Sequence, residues 1–380
     1  MSDANRRLRV EFHITNVRHH LRSVTDAIES LQRTGVDTTL VSYCELRGER
    51  TPSNDGPKHR TVRMFPDALR RLREGGVPTG SVSQDSSKSR ALRRLLAGWI
   101  ECRTKLRWWR RRADVICVLN DAVFPLDHTV DIAKRRGVPS VLLQEGVRFD
   151  VDVESAAYGS RASDGVLCWG EASADHFRRV GPDRDVHVVG HPFVRPAAAT
   201  RVTTDRRRLA VCSNPLRSLG LGDVVDQGRA IEALVRVARA VDIDVVLRPH
   251  PQEDRDWFDA LARATGCALD TTRPLDEILD SVDAVAVFAS TVGIEAIAAG
   301  RRLGVIELPT GGYAFDYVDS GVGVPLTSPD FAGLPRLFEA DPEIDERRQE
   351  YLDRHLGPDG AGDRIAAHLR SVAERSRISR

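Results

Sequence analysis

Two short stretches constrain the fold of these 380 residues more than anything else: Val245-Val246-Leu247-Arg248-Pro249-His250-Pro251, and Val287-Phe288-Ala289-Ser290-Thr291-Val292-Gly293-Ile294-Glu295-Ala296-Ile297. Each begins as an unbroken apolar run, stops on polar residues and turns into a helical pattern. Apolar runs without alternation are what strands covered on both faces look like, and such strands belong to parallel sheets. In an open α/β sheet, ligands bind beyond the carboxyl ends of the strands, over the helix N-termini. One end offers Arg248 and His250, the other Ser290, Thr291 and Glu295, a seat suited to a phosphate and a ribose. The pattern predicts two neighbouring strands whose tips converge on one pocket.

The same rhythm runs through the chain twice. In the first half, strands are predicted at 8–14, 38–46, 114–120, 140–144, 165–169 and 186–189. Helices are predicted at 19–33, 90–111, 129–136 and 173–180. Residues 47–89 are rich in Gly, Pro, Ser and charge and read as a long loop. The stretch 190–204 holds Pro192 and Pro196, has no period, and reads as a linker. Strands at 209–213, 244–247, 267–269, 284–288 and 303–307 then alternate with helices. The end of the chain is charged and helical, interrupted at Gly357-Pro358-Asp359-Gly360. Strands and helices alternating at this spacing mean mostly parallel sheets, and 380 residues exceed one ordinary core. The expected organisation is an N-terminal Rossmann-like domain (1–195), a nucleotide-binding Rossmann-like domain (205–342) and a helical tail (343–380), with a central cleft between the domains.

Composition narrows the function. With 41% hydrophobic and 29% charged residues the chain is globular, and a net charge of +1 argues against a protein built to hold nucleic acid. The six cysteines form no CxxC pair, and several lie in apolar runs such as Val115-Ile116-Cys117-Val118-Leu119, so neither a disulfide framework nor a zinc site is expected. The N-terminus is polar and basic, and no run approaches the ~20 apolar residues of a spanning helix. A cytoplasmic location follows. One segment complicates it: within 90–112, Leu92, Leu95, Leu96, Trp99, Ile100 and Leu106 form a stripe among arginines, ending in Trp108-Trp109-Arg110-Arg111-Arg112. The ordinary reading is an amphipathic helix packed on the sheet. The other is a peripheral contact with anionic lipid at the inner face of the cell membrane.

Taken in order, Gln144-Glu145-Gly146, Gly190-His191-Pro192, Arg248-Pro249-His250-Pro251, Ser290-Thr291 with Glu295-Ala296, and Pro358-Asp359-Gly360 with Arg364-Ile365 form a recognisable set. The set resembles the GT-B glycosyltransferase superfamily. Within that superfamily it is most similar to bacterial surface-polysaccharide enzymes: sialyltransferase-like and Kdo-transferase-like proteins and CDP-glycerol glycerophosphotransferases. The resemblance covers the C-terminal lobe by motif and the N-terminal lobe by architecture. It implies a metal-independent transferase without cofactor, moving a sugar from a nucleotide-sugar donor to a cell-surface glycan or lipid-linked acceptor. It further implies that His250, Pro251, Ser290 and Thr291 hold the nucleotide and Glu295 the ribose. Many relatives carry Gln-His-Gly where this chain has Gln144-Glu145-Gly146, so no catalytic role transfers to that position unaltered. The alternatives are glycerophosphotransferase chemistry, a non-hydrolysing UDP-N-acetylglucosamine 2-epimerase, and a non-catalytic scaffold.

The residues themselves suit this chemistry. A leaving phosphate can be met by helix-terminal N–H groups, basic side chains and hydroxyls. Ser290 can cap the following helix, Gly293 permits close approach, and Glu295 can accept from two vicinal hydroxyls. The competing reading is that Ser290 and Thr291 only cap and Glu295 is solvated. His250 either donates to the ligand or ties down its turn; Arg248 is either a phosphate clamp or a partner of a helix carboxylate. Ser213, Asn214 and Arg217 follow another strand and suit a pyrophosphate, or ordinary turn chemistry. A base is expected from the first half: Glu145 first, Asp121 second, His19 or His20 third. His191, before Pro192, shapes the linker.

Overall fold

The computed structural model describes residues 6–50, 60–74, 87–146, 164–181, 183–197, 207–250 and 253–379. The chain divides into two compact units. One comprises Met1–Arg148, Glu154–Phe193 and Gly357–Arg380; the other is built on Val194–Leu356.

The first unit runs β1 (Arg9–Ile14), α1 (Val17–Arg33), β2 (Asp37–Ser42), β3 (Arg60–Arg63), α2 (Asp67–Glu74), α3 (Ser87–Arg110), β4 (Val115–Val118), α4 (Leu126–Arg135), β5 (Ser140–Leu143), β6 (Val166–Cys168), α5 (Glu171–Val180) and β7 (Val186–Val188). Its sheet has the order β3-β2-β1-β4-β5-β6-β7, with every pairing parallel. Alternation along the strands sorts side chains between two cores. Val10, Phe12, Ile14, Val115, Cys117 and Leu119 enter one, while Ile116 and Val118 enter the other. α1 starts where the Asn16 side chain accepts the His19 N–H at 3.0 Å, and it buries Val24, Ala27, Ile28 and Leu31 at helical spacing.

The long loop expected over 47–89 needs correction. Residues 51–59 and 75–86 lie outside the described residues, but β3 pairs in parallel with β2, and α2 follows it. β3 reads Arg-Thr-Val-Arg because it is an edge strand, where charge is the rule. Met64 and Phe65 just beyond it are the buried anchors.

The second unit runs β8 (Arg207–Cys212), α6 (Val224–Ala240), β9 (Ile243–Arg248), α7 (Arg255–Thr265), β10 (Ala268–Leu269), α8 (Leu275–Asp280), β11 (Ala284–Val287), α9 (Val292–Ala298), β12 (Arg302–Ile306), β13 (Gly323–Leu326) and α10 (Pro342–Leu356). Its sheet has the order β10-β9-β8-β11-β12-β13, again all parallel. β13 was not expected, because Pro325 disguises it; an edge strand tolerates the missing N–H. β9 and β11 are not neighbours: both pair with β8, which separates their tips by about 10 Å at ordinary strand spacing. In each unit the strand order reverses beside the first strand, between β1 and β4 and between β8 and β11, and that is where an open sheet offers its crevice.

The expected tail is two helices with different allegiances. α10 stays in the second unit, where the Arg348 guanidinium donates to the carbonyls of Ile297 (2.7 Å) and Ala298 (3.1 Å), which close α9. The last helix, α11 (Ala361–Ile378), packs in the first unit, adding Ile365, Ala366, Leu369, Val372 and Ala373 to the core under α1. The switch is at Gly357, whose positive φ of 64° and contact with the Trp169 carbonyl leave no room for a Cβ. Gly190 abuts Pro358 in the same way, and Arg364 donates to the carbonyls of Val189 (2.9 Å) and Pro358 (2.6 Å). Among the described residues no helix is long and apolar enough to cross a membrane.

Candidate functional site

In the second unit, the carboxyl ends of β8, β9 and β11 are stitched together by side chains. Asn214, after β8, donates to the Ala289 carbonyl at 2.7 Å and accepts the Ala289 N–H at 3.3 Å, bridging the crevice to β11. On the other flank, Glu253 accepts from the Ser213 hydroxyl (2.6 Å), the Gln227 amide (3.0 Å) and the His250 backbone N–H (2.7 Å). Burial holds the Glu253 carboxyl above its usual range, and those three donors pull against it. Gln227 also donates to the Asn214 carbonyl at 3.1 Å, so one buried amide joins both seams. Neither Glu253 nor Gln227 was singled out in the sequence. Their signals were there: Glu253 stands three residues after His250, the reciprocal spacing of a capping box, and Gln227 interrupts the apolar face of α6.

The expected nucleotide residues surround this frame. His250 is exposed at the tip of β9; Pro251 lies outside the described residues. Arg248 turns sideways, donating to the Asp270 carbonyl at 3.1 Å and lying 3.7 Å from its carboxylate, which stands just after β10 and not on a helix. Arg217 is exposed on the single turn Leu216–Leu219 and makes no ion pair among the described residues. Ser290 accepts the Val292 N–H at 3.2 Å, and α9 behind it is only seven residues long. The space at Gly293 is filled by the protein's own Tyr317: a Cβ there would stand 2.6 Å from the phenol ring, whose hydroxyl donates to the Ser290 carbonyl at 3.2 Å. That glycine therefore serves packing behind Ser290 instead of ligand approach. Thr291 and Glu295 are half-buried. The Cys212 thiol, at the end of β8, is pushed up to about 12 by burial, with Arg248 opposing and Glu295 adding to the shift. Arg248 and Glu295 thus act electrostatically on the same strand end.

In the first unit, the ends of β1, β4 and β5 meet at Glu145. Its carboxylate accepts from His20 Nε2 (2.6 Å) and from the Asn120 amide (2.7 Å), and its backbone carbonyl accepts from His19 Nε2 (2.7 Å). The Thr15 N–H donates to His20 Nδ1 at 3.2 Å, so both nitrogens of that ring are engaged. For His19, a carbonyl can only accept, so the ring proton sits on Nε2 and the Nδ1 lone pair is left without a partner among the described residues. Burial holds the His19 pKa below the ordinary imidazole value, with the Glu145 carbonyl opposing and His20 and Arg22 reinforcing the shift. Asp121, the second expected base, is fully buried and so not placed to meet an acceptor hydroxyl. Gln144 is consumed structurally: it donates to the Gly146 carbonyl and the Ser173 hydroxyl and accepts the Trp169 N–H. His191 packs 4.1 Å from the Trp169 ring and accepts the Phe193 N–H. Among the described residues no cluster of three or more His, Cys, Asp or Glu could hold a metal ion.

No family profile and no curated protein matches the chain by sequence. Solved structures do match by shape. S. aureus MnaA in its co-structure with UDP aligns at a TM-score of 0.65 and 11% identity, over 97% of each chain. The calicheamicin glycosyltransferase CalG4 aligns at 0.59 and 15% identity, over 97% of this chain and 99% of that one. The UDP-GlcNAc 2-epimerase of Methanocaldococcus jannaschii, in complex with UDP-GlcNAc and UDP, aligns at 0.61 and 11% identity, over 96% and 100%. What these chains share with this one is the GT-B fold.

Proposed function

We propose that this protein is a metal-independent glycosyltransferase of the GT-B type, taking a sugar from a nucleotide-sugar donor to a cell-surface glycan or lipid-linked acceptor. The observation that supports it most is the frame in the second unit, where Asn214 and Glu253 hold three strand ends together at the switch point of the sheet. A rigid frame of that kind keeps backbone and side-chain donors fixed while charge develops on a departing diphosphate. Neighbours of the same fold bind UDP and UDP-GlcNAc, which agrees with a nucleotide-sugar donor here. In this reading His250, Pro251, Ser290 and Thr291 meet the nucleotide, and Glu295 accepts from the ribose hydroxyls. Arg217 meets the phosphates, while Ser213 and Asn214 hold the strand ends behind it and Arg248, turned to Asp270, contributes its charge alone.

We assign the base to His19. Its open Nδ1 takes the proton of the acceptor hydroxyl as the oxygen attacks the anomeric carbon and the carbon–oxygen bond to the diphosphate breaks. Glu145, both of whose carboxylate oxygens are already engaged, then holds His20 and presents the carbonyl that fixes the His19 tautomer. Incubation with CMP-, CDP-, UDP- and GDP-linked sugars in the presence of a chelator tests the reading. One base should dominate in thermal-shift and nucleotide-release assays, with the sugar recovered on an acceptor. Recovery of a C2-epimerised donor would assign the epimerase reaction instead, and a phospho-alditol product the glycerophosphotransferase one. If no nucleotide shifts the melting temperature, the scaffold reading takes over.

A further inference from the structure

α3 has two apolar faces. The inner one is used up inside the first unit: Ile100 and Thr104 are fully buried, and Arg107 and Trp108 both donate to the buried carboxylate of Glu11, at 2.7 and 3.1 Å. The outer one is a row of Leu92, Leu95, Trp99, Cys102, Leu106 and Trp109, spaced alternately by three and four residues along a single seam. Leu95 is 73% exposed, Leu106 59% and Trp109 82%. Isolated apolar side chains on a surface are ordinary, but a continuous row along a 24-residue helix marks an interaction site.

Charge identifies the occupant. Residues 87–112 hold ten Lys and Arg against one acid, Glu101, in a chain whose total is +1. That one acid is already paired, 2.7 Å from the Lys105 ammonium. Arg94, Arg103, Lys105 and Arg110, all exposed, flank the row. A second copy of the chain would bring Arg103, Lys105 and Arg110 against their own kind with no carboxylate in the seam to answer them. A ridge standing proud of a convex helix also suits a deformable surface better than a rigid one that must supply a matching groove.

We propose that this outer face of α3 lies flat on an anionic lipid surface. The leucines and the Trp109 ring enter the boundary between headgroups and acyl chains, with Trp99, tied to the Met64 carbonyl at 2.8 Å, at its margin, while the arginine and lysine stems run up to the phosphates. The proposal is independent of the donor reading, because lipid binding needs no nucleotide.

Sedimentation of the full chain with phosphatidylcholine vesicles, with and without phosphatidylglycerol, tests it. Binding should appear with the anionic vesicles alone, shift tryptophan emission to the blue and fall as salt shortens the screening length. Each of Arg103→Ala and Lys105→Ala should weaken it roughly fivefold, and the double variant Leu95→Glu/Trp109→Glu should abolish it. Both positions of the double variant are exposed, so its melting temperature should stay that of the wild type. Equal binding to neutral vesicles, or anionic binding that survives the double variant, overturns the proposal. A dimer in the ultracentrifuge that the double variant dissolves, without vesicle binding, overturns it in favour of a second copy. Absence of both leaves an acidic protein partner and overturns it equally. Nucleotide thermal shifts on the same samples report separately on the donor site.

Discussion

His19 carries its ring proton on Nε2 because the atom facing it, the Glu145 carbonyl oxygen, has no proton to give. A neighbouring-histidine pair after a strand could be seen in the sequence, but which ring was open could not, since that depends on partners 125 and 126 residues away. Replacing His19 with Ala should lower kcat by about 10²–10⁴-fold while nucleotide affinity, read by calorimetry, is unchanged. Wild-type turnover would remove it from the mechanism. Because its pKa is lowered, the base form persists as pH falls, and the acid limb of kcat/KM should lie below 6.5, the ordinary imidazole value. Glu145→Gln keeps an acceptor for His20 and should reduce turnover less than His19→Ala. On the donor side, Glu295→Ala should weaken nucleotide binding by about 1–3 kcal/mol, the worth of a charge-assisted pair. An unaltered dissociation constant would show that Glu295 makes no ribose contact.

At the scale of elements, glycine positions decide how closely segments approach. Gly362 opens α11 against α1, where an added Cβ would stand 2.5 Å from the Asp26 Cβ and 3.2 Å from the Ala27 nitrogen. Gly362→Val should therefore part the two helices and cost about 1–3 kcal/mol, visible as a lower urea midpoint. An unmoved midpoint would mean the crossing yields without loss. The same logic explains Gly293, which reads in the sequence as a ligand approach and in space as a seat for Tyr317. Edge strands were the elements hardest to see. β3 is charged and β13 contains proline, because an edge needs neither an apolar pattern nor every N–H.

Over the whole molecule, the first unit depends on the last helix of the chain and on buried groups that resist protonation. Burial holds the pKa of His13 low, with Glu11 opposing and Arg107 reinforcing the shift, and it lowers that of His368 to about 4, with His187 reinforcing the shift. Such histidines are neutral when folded and take protons when unfolded, so the stability they allow is lost as pH falls from 6.5 towards about 4. Glu11 works in the same direction at lower pH. Burial alone would raise its pKa, but Arg107, His13 and Trp108 hold it at about 2, so its contribution, present above 4.5, fades as pH falls towards 2. Tryptophan fluorescence, four of whose five reporters lie in the first unit, should show a melting temperature that declines steadily below pH 6.5. A flat profile between pH 6.5 and 4 would contradict this account of the buried histidines.

The parallel strands, their stops on polar residues and the repetition of the α/β rhythm followed from the sequence alone, because apolar runs and helical spacing are local properties. Partnerships across the chain were decided only in the fold. β8 intervenes between β9 and β11; α11 leaves the tail to complete the first unit; Glu253 and Gln227 become the clasp of one site and Glu145 the hub of the other. α3 shows the division most clearly: its stripe could be read as core or as surface, and packing assigns one face to each. Periodicity records that a side chain is apolar, whereas what covers it is fixed by contacts between residues far apart in sequence.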